Sequence, residues 1–341
     1  MDNESHSLSK EFKEEIADEN KIFPFKKKLL KDLDTNNFLL ATIHCLLNIK
    51  KLSIYFLNSD MNNEYGQDPY ITKLDDILNS SNDDKFKHSL MELKQNIYYK
   101  IHFNSRRDIG DPRKIINFIL ENFKKYGLLP DCILTTYKCE KCNNYLNHLN
   151  IITFNIPKVI EYIEENNKKF INSKNITMKD CFNFYFKSLN NYYVFDCDKY
   201  ICQNGKKSIN KLPKILIIYI DYGNDKNAYY DYSYEFKEEF YSKEFFDKDS
   251  SINNYYLSSM IACQNIGTYF ELYYTLVKEE SNSNYSILNG NDTSRSIPKV
   301  TKYLKKEKIN LKDKKQSWPF VLIYVDKNID NDSNSKLNLI F

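Results

Sequence analysis

The chain reads as an α+β protein, and three features of its patterning predict this. Segments with apolar residues spaced by three and four lie before about residue 130, whereas runs rich in β-branched and aromatic residues lie after about residue 132. No self-similar period of 20–50 residues is present, which removes solenoids and propellers.

Residues 38–49 form the first predicted helix, with Phe38, Leu39, Thr42, Cys45, Leu46 and Ile49 on the repeating positions. Asp34, Thr35, Asn36 and Asn37 all offer the short polar side chain that caps a helix start. Residues 53–82 are dense in turn formers and read as loop or short helix. Further helices are expected over 85–102 and 112–126. The second starts at Asp111-Pro112, carries Ile115, Ile116, Ile119, Leu120 and Phe123 as its apolar stripe, and ends at Gly127 and Pro130.

Beyond them, Ile151–Ile156 and Lys214–Tyr222 read as strands, with a helix over about 177–189 between them. Tyr255–Cys263, Tyr269–Lys278 and Pro319–Val325 are the later strands, and residues 240–254 and 279–296 read as loops. Residues 1–22 are polar and charged and are expected to form a disordered tail rather than a signal peptide.

Composition narrows the function classes. With 49 basic and 46 acidic residues the net charge is +3, and the signs are mixed along the chain, so a dedicated nucleic-acid binder is not indicated. No apolar run reaches the roughly 18 residues that span a bilayer. An intracellular location is therefore expected, with the eight cysteines as thiols or metal ligands rather than disulfides. The abundance of Tyr (28) and Phe (22) beside Asn, Lys and Ile, with only seven Gly, reflects codon bias more than adaptation.

Six segments, in order, carry chemistry-bearing patterns. The first is Asp34-Thr35-Asn36-Asn37-Phe38-Leu39, followed by Cys45-Leu46. The second is Gly110-Asp111-Pro112-Arg113-Lys114-Ile115-Ile116. Cys139-Glu140-Lys141-Cys142 has the spacing of half a structural zinc site, and Cys202, with Cys197 five residues upstream, offers further thiols. Then come Leu212-Pro213-Lys214-Ile215-Leu216-Ile217-Ile218, Gly267-Thr268-Tyr269 and Trp318–Val325.

In this order the segments resemble those of the ubiquitin-specific protease family, a family of thiol hydrolases. The resemblance implies a papain-like fold with a helical thumb (about 23–130), β-rich fingers (about 131–212) and an antiparallel-sheet palm (about 213–341). It also places degenerate residues at the catalytic positions. Asn37 stands where the nucleophilic cysteine belongs, and a carboxamide supplies no thiolate. Asp32 falls on the oxyanion-hole Asn, where a carboxylate repels developing negative charge. Thr268, or Leu272 in a shifted alignment, replaces the general-base His. Asp292, before Val300-Thr301, is the nearest carboxylate to the third triad position.

One argument stands apart from alignment. All five histidines (His6, His44, His88, His102 and His148) lie in the first 148 residues, so no late imidazole exists to activate a thiol. Cys45 and His44 are adjacent on a helix and do not face each other, and Cys45 sits on the apolar stripe. The chain is therefore expected to be no enzyme.

Within the family, the inactive splicing-associated branch that accompanies the tri-snRNP is the nearest in pattern. Leu30-Lys31-Asp32-Leu33-Asp34-Thr35-Asn36-Asn37-Phe38, Gly110-Asp111-Pro112 and Gly267-Thr268-Tyr269 are similar to its three boxes. That resemblance implies a nuclear scaffold with spliceosomal tri-snRNP proteins as partners. Ubiquitin binding outside splicing is the alternative, and an active deubiquitinase the least favoured. Zinc at Cys139, Cys142, Cys202 and Cys197 is the single cofactor candidate.

Overall fold

The computed structural model describes residues 37–47, 49, 73, 76, 83–100, 111–125, 133–138, 145–149, 151–166, 175–189, 193–197, 200–211, 213–223, 229–230, 233–245, 253–265, 271–278, 284–289, 292–297, 301–306, 309–310 and 317–329. The expected tail at 1–22 and the stretch 53–72 lie outside them.

Helix α1 (Asn37–Leu47) is followed by α2 (Asp83–Lys100) and α3 (Pro112–Lys125). Asp111 caps α3: its side chain accepts from the Arg113 N–H at 2.9 Å, with Pro112 at the first turn. After α3 the chain turns to strands. β1 (Ile133–Lys138), β2 (Tyr145–Leu149), β5 (Tyr193–Cys197) and β6 (Tyr200–Lys211) form a four-stranded sheet ordered β2-β1-β6-β5.

The larger sheet holds β3 (Ile151–Asn155), β7 (Ile215–Asp221), β10 (Glu239–Tyr241), β11 (Asn254–Asn265), β12 (Glu271–Lys278), β13 (Tyr285–Asn289), β14 (Asp292–Ile297) and β17 (Ser317–Asp326). Its order is β14-β13-β12-β11-β17-β7-β3, with β10 added along β11. Between β3 and β7 in sequence stand α4 (Ile156–Asn166), β4 (Asn175–Thr177) and α5 (Met178–Leu189). Thr177 and Asp180 form a reciprocal capping box at the start of α5: Asp180 N–H donates to Thr177 Oγ1 at 3.2 Å and Thr177 N–H to Asp180 Oδ2 at 2.9 Å. Two small sheets complete the described residues. β9 (Ser233–Glu235) joins β4 and β15 (Lys305–Lys306), and β8 (Tyr229–Tyr230) joins β16 (Ile309–Asn310). The short helix α6 (Thr301–Leu304) precedes β15.

α1 is buried on all sides: Leu39, Ile43, Cys45 and Leu46 are each nearly inaccessible. A helix apolar all round belongs in an interior, and α1 packs against β11, β12 and β13 on one side and α3 on another. The Phe38 ring stacks with Tyr98 of α2 at 5.9 Å. Successive strand residues alternate faces. Ile323, paired with Ser259, therefore faces α1, while Tyr324 faces the other layer. There Tyr324, Phe240, Phe182 and Phe154 join a ring cluster with centroid separations of 5.0–6.2 Å between neighbours.

Four expectations are corrected. Residues 279–296 are not a loop but contain the β13–β14 hairpin, and β10 interrupts the expected loop at 240–254. The strand expected over Ile151–Ile156 stops at Asn155. There the Asn155 side chain accepts from the Lys158 N–H and starts α4, with Pro157 in its first turn. The large sheet is not wholly antiparallel, because β3 runs parallel to β7.

Candidate functional site

Two buried hydroxyls tie α1 to the sheet. Thr275 Oγ1 on β12 donates to the Ala41 carbonyl at 2.8 Å, and Ser259 Oγ on β11 donates to the Cys45 carbonyl at 3.0 Å. Ser259 stands opposite Val277. Four residues of helix, about 6 Å, are thus matched by two residues of β12, about 6.6 Å, and α1 runs parallel to β12. One turn back from Ala41 brings Asn37 level with Tyr273, beside Leu272. The two degenerate positions Asn37 and Leu272 therefore share one end of the α1–β12 layer.

Asn37 is the first residue of α1, at the positive end of the helix dipole. Leu272 pairs with Gln264. Asp32 and Thr268 lie outside the described residues. Asp292 opens β14 and pairs with Asn289 at the far edge of the sheet. Near the α1 start, β11 and β17 bring Cys263 opposite Trp318, both buried. Tyr222 closes this corner: its hydroxyl donates to the Pro319 carbonyl at 3.1 Å, and its ring meets Trp318 at 6.4 Å, edge-on.

The alternative nucleophile fails on geometry. Cys45 is fully buried and its thiol lies 3.1 Å from Ser259 Oγ. Burial pushes that thiol up to about 12, against a smaller lowering by the Ser259 contact, so the thiolate is disfavoured at any physiological pH. Cys181 is also buried and raised, mainly by desolvation, and Cys263 is buried. His44, next to Cys45 on the helix, is buried as well.

In the small sheet, Cys197 pairs with Tyr200 and Cys202 with Phe195 across the β5–β6 hairpin. Lys138, the last residue of β1, pairs with Lys206, four residues beyond Cys202 on β6. Cys139 and Cys142 lie outside the described residues. Four thiols would have the number and softness that a tetrahedral zinc takes.

Sequence reasoning missed a polar clamp in the second box. Arg113 makes a forked contact with Asp111 (2.9–3.0 Å), lies 3.7 Å from Asp221 and covers the Phe320 ring at 4.6 Å. Asp221 also accepts from Asn155 Nδ2 at 3.1 Å, and Tyr219 OH donates to Asn117 Oδ1 at 3.0 Å. This clamp fixes α3 to the ends of β3 and β7. Only the Asp-Pro start signal was visible in sequence; Asp111 is two residues from Arg113, but Asp221 and Phe320 are more than 100 residues away.

No family model and no curated protein matches this sequence. Solved structures match its fold. A ubiquitin-bound SAGA DUB module, containing Ubp8, Sgf11, Sus1 and Sgf73, superposes with TM-score 0.55 at 15% identity, covering 87% of this chain and 68% of that chain. The same module bound to ubiquitin aldehyde gives 0.55 at 14%, covering 87% and 69%. A yeast form of the module gives 0.54 at 14%, covering 87% and 68%. Likeness at such identity is likeness of fold, and the mixed helix–strand architecture built around α1 is that of a ubiquitin-specific-protease-like protein.

Proposed function

We propose that the chain is a catalytically inactive ubiquitin-specific-protease-like protein that works by holding protein partners. The observation that carries this reading is the pairing of Asn37, at the start of the buried helix, with the absence of any histidine after His148. A thiol hydrolase of this layout needs a nucleophile at the first position and an imidazole contributed by the late strands. The inaccessible Cys45 supplies no substitute. Incubation with a ubiquitin-derived electrophilic probe is expected to leave the mass unchanged; a covalent adduct on any cysteine overturns the proposal.

The box resemblance supports a role among spliceosomal tri-snRNP proteins in the nucleus as the leading form of this proposal. Affinity purification of the tagged protein from nuclear extract is expected to recover them, and their absence removes the splicing assignment while leaving inactivity standing. A second reading has its own support. The solved modules with this fold are recorded bound to ubiquitin, and a cleft without chemistry can retain a grip on that surface. Calorimetry with free ubiquitin separates the two: saturable heat supports a ubiquitin-holding role, and none at high micromolar concentration removes it.

A structural zinc held by Cys139, Cys142, Cys202 and Cys197 belongs to this proposal as a brace for the small sheet. Elemental analysis is expected to find one zinc per chain that is lost in the Cys197→Ser, Cys202→Ser double variant. Metal-free protein with full stability overturns the brace.

A further inference from the structure

α2 holds one cation that no carboxylate answers. The residues three and four positions from Lys94 along the helix are Leu90, Met91, Ile97 and Tyr98, so no helix neighbour can pair with it. Leu90 and Ile97 are buried, and Lys94 itself is half-buried beside them. The nearby acid on α2, Glu92, is engaged by other cations: its carboxylate lies 2.6 Å from Lys73 Nζ and 3.3 Å from His88 Nε2. Among the described residues Lys94 makes no ion pair; its ammonium stands over the Tyr98 ring instead, 5.6 Å from the centroid.

That ring belongs to the layer beside the candidate site. Tyr98 stacks with Phe38 at 5.9 Å, and Phe38 directly follows Asn37. A ring face attracts an ammonium only weakly at a distance close to the outer limit of about 6 Å. Tyr98 adds no charge of its own, because burial holds its phenol well above the usual value of 10.0. Burial without a counterion disfavours the charged amine, and Lys94 is held below the usual lysine value of 10.5 for this reason. The neutral amine, with its free lone pair, is the nucleophilic form. Such a lysine reacts at acyl carbons ahead of fully hydrated ones.

We propose that Lys94 is an acylation site that reacts directly with acyl thioesters, without a modifying enzyme. The amine nitrogen attacks the thioester carbonyl carbon. A C–N bond forms, the C–S bond breaks, and the nitrogen gives a proton to the departing thiolate, leaving an amide and a free thiol. The exchange replaces an uncompensated, half-buried ammonium by a neutral amide, which removes the desolvation cost of the charge. It also changes the charge next to the start of α1. The proposal goes beyond the reading of Asn37 and does not depend on it.

The probe is acetyl-coenzyme A, applied to the full chain near neutral pH with no acetyltransferase added. Acetylation at each lysine is followed by peptide mass spectrometry, after the remaining amines are capped with deuterated acetic anhydride. Lys85, exposed on the same helix, is the internal reference. Lys94 is expected to react about threefold faster or more. That advantage is expected to vanish in guanidinium, where burial is lost. Met91→Glu is the decisive substitution. Met91 is 53% exposed, so the change leaves the core alone, and it sets a carboxylate three residues before Lys94. The Lys94 rate should then fall about twofold, with that of Lys85 unchanged. A Lys94 rate equal to or below that of Lys85 in the folded protein overturns the proposal. So does an advantage that persists in guanidinium or survives Met91→Glu undiminished.

Discussion

Asn37 is decisive because of what surrounds it in the fold. A cysteine restored there would enter a layer whose described strands bring Leu272, Cys263, Gln264 and Trp318 to the same end, and none of these is an imidazole. Asn37→Cys is therefore expected to hydrolyse a ubiquitin fluorogenic substrate no faster than wild type, since a positioned general base alone is worth about 10²–10⁴-fold. Turnover above that of wild type, measured by continuous fluorescence, would sink the inactive reading. The two hydroxyl ties below it make a separate stability prediction. Thr275→Val and Ser259→Ala each remove one buried donor to an α1 carbonyl, at an expected cost of about 1 kcal/mol in urea unfolding. The Ser259 change also leaves the Cys45 thiol without its neighbour 3.1 Å away. Even so, native-state alkylation should still miss Cys45, because the helix and sheet that bury it remain.

Elements with a strong period were legible from sequence, and those decided by pairing were not. α1 and α3 announce themselves by apolar residues at three and four, and β7 and β17 by unbroken apolar runs that the structure buries almost completely. β13 and β14 are short, and only the ladder of β12 to β13 and of β13 to β14 makes them strands; Asn289-Gly290 is a local hairpin signal set among many other turn formers. α4 was hidden behind β3 because Ile156 continues an apolar run, although Asn155-Ile156-Pro157 carries both a cap and a first-turn proline. Asn155 holds two elements together: it caps α4 and donates to Asp221 at the end of β7. Asn155→Ala is expected to cost about 1 kcal/mol from the cap, with a further loss from the Asp221 bond. Asn155→Asp should keep the cap while setting two carboxylates against each other. Equal stabilities for the two variants, by urea titration, would show that the Asp221 contact contributes nothing. At the candidate site the same division holds. The identities at Asn37 and Leu272 were readable, but their shared level along α1 and β12 depends on the Thr275 and Ser259 ties, which no local pattern displays.

At the scale of the whole molecule, the tyrosine-rich composition becomes an electrostatic property. Tyr219, Tyr222, Tyr285 and Tyr324 are held above the usual phenol value of 10.0, in each case chiefly because burial disfavours the phenolate. Cys45 and Cys181 are held above 9.0 for the same reason. Their hydrogen bonds reinforce it: Tyr324 OH donates to the Lys237 carbonyl and Tyr285 OH to the Leu257 carbonyl, and an ionised phenol cannot donate. All six groups carry folded values above their unfolded ones. The stability they confer is complete below pH 9, where both states keep the protons. It declines as the unfolded chain begins to ionise, first at the thiols and then at the phenols. Each group ionised only in the unfolded state subtracts about 1.4 kcal/mol per pH unit. With several acting together, unfolding is expected to be cooperative above pH 10, with the buried phenols' share of the tyrosinate absorbance appearing together with the loss of circular dichroism in one steep transition. Tyr285→Phe removes one phenol together with its bond to Leu257, so its transition should be shallower by one proton while its neutral-pH stability falls by about 1 kcal/mol. Tyrosinate absorbance that reaches the amplitude of all 28 tyrosines with the dichroism unchanged would mean that these four phenols are accessible in the folded protein, and the packing described between β10, β11, β13 and β17 would be wrong.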